Sequence, residues 1–451
     1  MFTENTTSTF RAGAARVDIT PTHLPAIING EFIERLWDEV ADPLSARALV
    51  LDDGTLKIAM AVIDTCMIPD DLADRIKDLI CAQTGISTDH ILISATHCHS
   101  APSLIDTLGS GIDEHYLATF PQLVADAVAA ANNNLQEAEL GYAADADPEN
   151  VFCRRFIMKP GTAWTENTAF TGSRGDIAQM NPFNKQDDIV CRTGTPDPTV
   201  SVLSIRKLDG TPLAIYACYS THYAEIFKIS ADYFGVFANS IAKKIHAGPD
   251  FVAMIANGTS GDSNCIDFYH PERVYNHITV GESVAEAGYR AWQKIEYKRN
   301  VTLGMIEEKM TLAIRKPTED QVCQAREYIE KTGNRKPINC EDVYAKETLL
   351  MNDLPDYRTF KLQAIRIDQL GIAAIPAEVY AVTGREIRDA SPMKQTFTVS
   401  LANGENGYIP PEEAFSFGGY TTWRASSSCL EPKAERKIRL AVIRMLEFLS
   451  Q

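Results

Sequence analysis

Short apolar runs alternate with helix-periodic runs along almost the whole of this 451-residue chain. The apolar runs are rich in Val, Ile, Leu and Ala and are bounded by polar or turn-forming residues, which is typical of buried β-strands. Strands are predicted at residues 46–51, 57–63, 90–95, 199–206, 212–218, 251–255, 360–367, 371–375 and 397–401. Helices are predicted at residues 70–82, 113–135, 237–246, 281–298, 318–331 and 433–449. This alternation predicts an α/β fold in which mixed β-sheets are flanked by helices.

One segment, residues 159–198, has almost no periodicity and is rich in Gly, Pro, Asn and Thr. A loop of this length in a compact enzyme is usually a lid or a binding loop. No internal repeat or low-complexity linker marks a domain boundary. We therefore predict one domain over residues 1–451, with residues 159–198 as a lid or substrate loop.

The charge and cysteine content exclude several classes of protein. Sixty acidic residues against 43 Lys and Arg give a net charge of −17, which argues against binding to nucleic acid or to an anionic membrane surface. No apolar stretch approaches the roughly 20 residues needed to span a bilayer, so we expect no stable membrane anchoring. The ten cysteines form no C-x-x-C pair and the first residues do not resemble a secretory signal, which favours a cytoplasmic protein. The oligomeric state is left open.

The motif T-H-C-H-S at residues 96–100 directly follows the predicted strand 90–95. On an extended backbone, residues two apart share a face, so His97 and His99 are expected to point the same way. Neutral imidazole nitrogens bind borderline cations such as zinc. This motif therefore indicates a metal site, with hydrogen-bonded structural histidines as the alternative.

Further polar residues follow the ends of four other predicted strands. They are His222, Glu378, Tyr408 and the segment 257–264. If these strands run parallel, such residues collect at one rim of the sheet, where sheet enzymes place their active sites. Two histidines, a glutamate and a tyrosine would form a plausible N₂O₂ shell for zinc. Each residue also has a structural alternative: His222 as a core histidine, the segment 257–264 as a Gly-rich turn, Glu378 as a carboxylate at a helix start, and Tyr408 as a packing aromatic.

Several motifs, taken in order, resemble those of the neutral (non-lysosomal) ceramidases and their bacterial relatives. The matching segments are R-A-G-A-A-R-V-D-I-T-P (11–21), D-P-L-S-A-R-A (42–48), T-H-C-H-S-A-P (96–102), I-S-A-D-Y-F-G (229–235), G-D-S-N (261–264), I-P-A-E (375–378) and the final block 403–420. The resemblance covers most of the chain. It implies the α/β catalytic domain of the ceramidase type.

The resemblance also implies roles for individual residues. The implied zinc ligands are His97, His222, Glu378 and Tyr408, although iron, manganese or cobalt would also suit this set. The implied catalytic positions are His99, Arg154, Tyr420 and Asn264. Arg155 is an equally good counterpart of the family's active-site arginine as Arg154, and a role for Asp64 is left open.

Two departures from the family pattern shape the expected reaction. Asn264 stands where ceramide-cleaving members have serine, which favours direct attack by metal-activated water over a serine nucleophile. The C-terminal β-sandwich and signal peptide of secreted ceramidases are absent from the sequence, which favours a small, soluble substrate. The resemblance therefore implies a zinc-dependent amidohydrolase that cleaves a linear C–N amide bond. The alternatives are an esterase or lactonase with the same metal site, or an inactive binding homologue.

Overall fold

The computed structural model describes residues 9–164, 168–173 and 175–451. The strands in these ranges are β1 (Arg11–Asp18), β2 (Ala26–Ile28), β3 (Arg35–Trp37), β4 (Ser45–Asp52), β5 (Lys57–Ile63), β6 (Ile91–Ala95), β7 (Gln136–Ala146), β8 (Phe152–Cys153), β9 (Arg155–Met158), β10 (Ala178–Met180), β11 (Ile189–Arg192), β12 (Thr199–Lys207), β13 (Pro212–Tyr219), β14 (Val252–Asn257), β15 (Ser263–Asn264), β16 (Leu303–Ala313), β17 (Tyr357–Ile367), β18 (Leu370–Ala374), β19 (Glu378–Val379), β20 (Gln395–Val399) and β21 (Tyr408–Ile409). The α-helices are α1 (Asp70–Thr84), α2 (Glu114–Asn133), α3 (Thr168–Thr171), α4 (Asp232–Lys244), α5 (His277–Trp292), α6 (Glu319–Lys331), α7 (Cys340–Asp353), α8 (Ala381–Ala390), α9 (Ala414–Phe417) and α10 (Ala434–Ser450).

Two mixed sheets form the centre of the molecule. The larger has eight strands in the order β14-β13-β12-β7-β1-β4-β5-β6, and the smaller has four in the order β16-β17-β18-β20. The pairs β5–β6, β13–β14 and β18–β20 are parallel, whereas the other pairs in these two sheets are antiparallel. The predicted α/β fold of mixed sheets flanked by helices is confirmed.

The apolar residues divide between two faces of the larger sheet. Along β4, Ala48 and Val50 belong to a core shared with α1, α2, α4 and α5, while Leu49 and Leu51 belong to a core shared with the smaller sheet. This division follows from the alternation of side chains on a strand. A third core lies between the smaller sheet and helices α8 and α10. The result is a stack of four layers, with helices outside and two sheets inside.

Every predicted strand and helix is present, most with ends shifted by a few residues. The predicted strands 46–51 and 57–63 form the antiparallel pair β4–β5, and a capping box at Thr318 begins α6. Among the elements of eight or more residues, β1, β7, β16, α7 and α8 were not predicted. The predicted loop at residues 159–198 contains β10 and β11, which pair with β9 in a three-stranded sheet. Its function as a lid stays a prediction.

Residues 400–403 join the two sheets through backbone hydrogen bonds. The amide of Ser400 donates to the carbonyl of Asn257 at 3.0 Å, and the amide of Asn403 donates to the carbonyl of Ile93 at 2.7 Å. The amide of Leu401 donates to the carbonyl of Ala377 at 3.2 Å. This segment, which we call the seam, therefore brings together the carboxyl ends of β6, β14 and β18.

The buried carboxyl group of Asp232, the first residue of α4, is expected to make the stability of the protein depend on pH. The residue is fully buried, and this burial raises the pKa of its carboxyl from 3.8 to about 6. Because the folded-state pKa lies above the unfolded value, the stability that the protonated form contributes is complete below pH 3.8 and is lost as the pH rises through about 6. The unmodified protein should therefore lose about 3 kcal/mol of this stability between acidic and neutral pH, whereas Asp232→Asn should not. We expect the difference in free energy of unfolding between the two proteins to shift by about 3 kcal/mol in favour of Asp232→Asn over this pH range.

The asparagine keeps an oxygen acceptor for the amide of Ala224, which lies 3.0 Å from Oδ1 of Asp232. It also tolerates the left-handed backbone at this position, where φ is +53°. Denaturant unfolding of both proteins over a pH series measures the difference. A difference that does not change with pH would contradict the prediction.

Candidate active site

His97 lies just beyond the end of β6, in a turn. Its φ of +68° is left-handed, so the predicted extended backbone at this motif is wrong. The turn nevertheless places the Nε2 atoms of His97 and His99 3.2 Å apart. The Nδ1 atom of His97 lies 2.8 Å from the carbonyl oxygen of Cys66, and donation of this N–H leaves Nε2 as a lone pair that faces the cavity.

His222 and Glu378 reach the same point from the ends of β13 and β18. The Nε2 atoms of His222 and His97 lie 3.0 Å apart. The Nδ1 atom of His222 lies 3.2 Å from the carbonyl oxygen of Ser260. The Oε2 atom of Glu378 lies 3.3 Å from Nε2 of His97 and 3.8 Å from Nε2 of His222. The two imidazoles and the carboxylate thus converge on one point.

Tyr408 is placed beside Glu378 by the backbone. The two residues are direct partners in the parallel pair β19–β21, and both side chains line the same cavity. Burial raises the pKa of the phenol well above its usual range. All four predicted metal ligands are therefore adjacent in space.

The arrangement of these side chains fits a bound cation. With both Nδ1 atoms donating to carbonyls, two nitrogen lone pairs face each other at 3.0 Å, and such a pair repels unless a positive charge lies between. Oε2 of Glu378 is buried and has no hydrogen-bond partner among the described residues. Two nitrogens on one tetrahedral zinc lie about 3.3 Å apart, since each bond is about 2.0 Å long. The donor set and its spacing therefore fit zinc.

His99 stands beside this group with its ring stacked on Tyr223, at a centroid distance of 3.8 Å. Burial lowers the pKa of His99 to about 4, so the imidazole is neutral at neutral pH. Its Nδ1 atom lies 3.9 Å from Oε1 of Glu31. Gly30 lies directly against the ring, because a Cβ at this position would come within 2.3 Å of Nδ1. The backbone of Gly30 therefore holds His99 in place.

Arg154 and Tyr420 complete the wall around Tyr408. The Arg154 guanidinium is buried and donates to the Tyr408 hydroxyl at 3.1 Å and to the carbonyl of Gly261 at 3.0 Å. The rings of Tyr408 and Tyr420 meet edge to face, at a centroid distance of 5.9 Å. A guanidinium and two phenols thus form a cluster of hydrogen-bond donors beside the candidate metal ligands.

The structure distinguishes Arg154 from Arg155. Arg155 points away from the cavity and donates to the carbonyls of Ala414 and Gly418 at 3.0 and 2.6 Å. Arg154 is therefore the arginine that lines the cavity.

Two other sequence candidates lie outside the cavity lining. Asn264 donates to Oδ1 of Asn181 at 3.1 Å, and it is Asn181 that lines the cavity. Asp64 is buried against Arg47, at 2.7 Å from its guanidinium. Asn264 is thus separated from the cavity by Asn181, and Asp64 forms an ion pair with Arg47 outside the cavity lining.

The cavity has a volume of about 910 Å³, including its open mouth. Nine polar lining residues were not predicted as site residues: Asn29, Glu31, Thr107, Asn181, Tyr223, Arg358, Glu405, Ser426 and Ser427. Glu405 lies in the polar segment before Tyr408, so its position in the sequence could have marked it as a site residue. Glu31 and Arg358 lie in no distinctive motif, and only the folded chain brings them to the cavity.

The two arginines allow a matched pair of substitutions. We expect Arg155→Met to lower the free energy of unfolding by about 3 kcal/mol, since two buried carbonyls lose a charged donor. The catalytic role that the family resemblance implies for Arg154 predicts that Arg154→Met lowers kcat by about 100- to 1,000-fold on a substrate of the protein, as loss of an oxyanion donor does. Denaturant unfolding and steady-state kinetics on both variants measure this. Equal effects of the two variants on kcat would contradict the assignment.

No helix among the described residues combines the length and the apolar character needed to cross a bilayer.

No protein-family model and no curated protein sequence matches this chain. The structure is similar to that of the neutral ceramidase from Pseudomonas aeruginosa, with a TM-score of 0.71 and 16% sequence identity over 98% of this chain and 74% of that chain. A ceramidase complexed with C2 aligns equally well, with a TM-score of 0.71 and 16% identity over 98% of this chain and 75% of that chain. The chain is therefore a ceramidase-like domain with the fold of bacterial neutral ceramidases.

Proposed function

We propose that the protein is a metal-dependent hydrolase that cleaves the C–N amide bond of a small substrate. The observation that carries this proposal is the convergence of His97, His222 and Glu378, whose ligand atoms all lie within 4.8 Å of one another. They lie in the wall of one cavity that opens to solvent. The ceramidase-like fold supports hydrolysis of an amide.

The metal that we propose is zinc, held by His97, His222, Glu378 and Tyr408. Contacts to backbone carbonyls orient both imidazoles, as the outer partners of metal-binding histidines commonly do. Burial alone would raise the pKa of Glu378, but its contacts with His97 hold that pKa below the usual value, so the carboxylate is ionised as a metal ligand must be. Zinc supplies a Lewis acid that activates water and polarises a carbonyl group.

The neighbouring side chains have complementary tasks. Arg154 and Tyr420 present donors beside the metal ligands, where they can stabilise the negative charge that develops on the amide oxygen. The neutral imidazole of His99 carries one proton and one lone pair, so it can accept a proton at one nitrogen and release one from the other. A proton delivered in this way to the departing nitrogen lets the amine leave.

The nucleophile that we propose is water. Asn264 does not line the cavity and has no hydroxyl group, so it cannot act as the serine nucleophile that the ceramide-cleaving pattern would place there. We propose that Asn264 instead holds Asn181 at the cavity wall through the contact at 3.1 Å. This contact also supports the predicted role of residues 159–198 as a substrate loop, because Asn181 belongs to that segment.

We further propose a reducing, cytoplasmic setting. Six of the ten cysteines are buried as unoxidised thiols: Cys66, Cys98, Cys153, Cys218, Cys265 and Cys429. Thiols persist in this form where glutathione and thioredoxin keep them reduced.

Two measurements test the proposed function. The first is metal content after reconstitution with zinc, for which we expect one equivalent per chain. The second is hydrolysis of matched amide and ester substrates of equal shape by the zinc-loaded protein, for which we expect turnover of the amide that disappears on chelation. A chain that binds no metal would overturn the proposal, and turnover of esters alone would replace the amidase by an esterase.

A further inference from the structure

Glu405 is a buried carboxylate in the wall of the same cavity. Only 5% of the residue is exposed, and it lines the cavity. Its Oε1 atom accepts a hydrogen bond from the amide of Gly407 at 2.6 Å. Its Oε2 atom has no hydrogen-bond partner among the described residues. One oxygen of this carboxylate is therefore left for a group that the cavity admits.

The nearest cation does not satisfy this oxygen. Arg358 also lines the cavity, but its Nη2 atom donates to Oδ2 of Asp70 at 2.9 Å and to the backbone carbonyl of Glu405 at 3.0 Å. The guanidinium charge is thus engaged by Asp70. Oε2 of Glu405 thus gains no hydrogen bond from this guanidinium. Burial and the nearby charge of Glu378 raise the pKa of the Glu405 carboxyl well above its usual range, so its ionisation calls for a positive charge in the cavity.

Glu31, the other carboxylate that lines this cavity beside Glu378 and Glu405, differs in this respect. It accepts a hydrogen bond from the Tyr223 hydroxyl at 3.3 Å and shares the Arg35 guanidinium with Glu225, at 3.4 and 3.7 Å. A third of its side chain is exposed. Glu31 is therefore a carboxylate of the same cavity that has both partners and contact with solvent, which makes it a suitable control for Glu405.

A buried carboxylate is costly unless a donor or a positive charge accompanies it. We propose that Glu405, together with Ser426 and Ser427 of the same cavity wall, forms a subsite that binds a primary ammonium group of the substrate. We call this the Glu405 subsite. The inference deepens the proposed function and rests on it, because the substrate becomes an amide that also carries an amine.

The backbone connects the Glu405 subsite to the candidate metal ligands. The amide of Tyr408 donates to the carbonyl of Ser427 at 2.8 Å, and Glu405 precedes Tyr408 by three residues. Glu405, Tyr408 and Glu378 line one cavity, so a ligand anchored on Glu405 can reach the candidate metal ligands. This placement predicts an amine separated from the scissile amide by a short chain.

Hydroxamic acids provide the probe, because they bind zinc in place of an amide carbonyl. We would measure the binding of ω-amino hydroxamic acids of increasing chain length to the zinc-loaded protein by calorimetry, each against the alkyl hydroxamic acid of equal length. At the matching length we expect the amino compound to bind about 10- to 100-fold more tightly, as for a hydrogen bond to a charged group. This preference should disappear in Glu405→Gln and persist in Glu31→Gln.

The outcomes separate this inference from the proposed function. If the protein binds zinc but amino and alkyl hydroxamates bind equally at every length, the Glu405 subsite is wrong while the metal site stands. A preference that survives in Glu405→Gln would also overturn it. If the protein binds no zinc, the proposed function fails and the inference fails with it. Thermal unfolding of both variants shows that they are folded, and a Glu405→Asp variant should recover part of the preference if the charge itself is required.

Discussion

Replacing His97 with alanine is expected to remove zinc binding. The side chain lies at the centre of the site, with its Nε2 atom 3.0 Å from His222, 3.2 Å from His99 and 3.3 Å from Glu378. Loss of an outer partner of a metal ligand already costs about 10- to 100-fold in affinity, so loss of the ligand itself should exceed about 100-fold. Metal analysis after dialysis should give close to one zinc per chain for the unmodified protein and almost none for His97→Ala. Amide hydrolysis should fall in parallel.

The control for this substitution is His270→Ala. The His270 side chain is 69% exposed and lies 3.4 Å from the carboxylate of Glu272. It should bind zinc and turn over substrate as the unmodified protein does. Full zinc occupancy in a folded His97→Ala protein would show that the proposed ligand set is wrong.

Replacing Gly30 with alanine is expected to impair catalysis while zinc stays bound. The backbone of Gly30 has a φ of +106°, and an added Cβ would lie 2.3 Å from Nδ1 and 2.5 Å from Cγ of His99. The ring must move, because an approach this close is not tolerated. Displacement of a reacting group by about 1 Å can cost about 100-fold in rate, so we expect kcat to fall by about that factor. Steady-state kinetics and metal analysis of the same preparation measure the two effects together.

Gly85→Ala is the control that distinguishes the effect of the contact with His99 from the effect of backbone strain. Gly85 also has a left-handed backbone, with φ at +73°, but no atom lies within 4 Å of an added Cβ. The substitution should lower the free energy of unfolding by about 1–3 kcal/mol without changing kcat. If Gly30→Ala has the same kcat as Gly85→Ala, then Gly30 does not position His99.

The candidate metal ligands could be found from the sequence because each follows an apolar run. His97, His222, Glu378 and Tyr408 do lie together, but the reason for the pairing of His97 with His99 was wrong. An extended strand was expected, whereas a left-handed turn at His97 orients the rings. Local propensity does not reveal such a turn, because the surrounding backbone imposes it: the amide of His97 donates to the carbonyl of Thr65.

Strands β1 and β7 were not predicted because they contain many small residues, which allow neighbouring elements to pack closely. Both contain several alanines and a glycine. A Cβ at Gly13 of β1 would lie 2.2 Å from the carbonyl oxygen of Ala131 in α2, and a Cβ at Gly141 of β7 would lie 2.4 Å from that of Glu296. Small residues that permit such contacts have low β-propensity, so they hide a strand from sequence reasoning.

The cavity residues that were not predicted illustrate a second limit of prediction from sequence, which concerns contacts between distant positions. Arg358 and Glu405 are 47 positions apart and meet through a hydrogen bond from the guanidinium to a backbone carbonyl. No periodicity or motif links two such positions. Their proximity arises only when β17 and the segment before β21 pack together.

The seam at residues 400–403 ties the candidate site to the folded state of the whole chain. Its backbone hydrogen bonds reach β6, β14 and the residue before Glu378, so they link the part of the chain that carries His97 to the part that carries Glu378. A cation that needs all four proposed ligands would bind the folded chain and not the unfolded one, so a rising concentration of that cation would raise the free energy of unfolding.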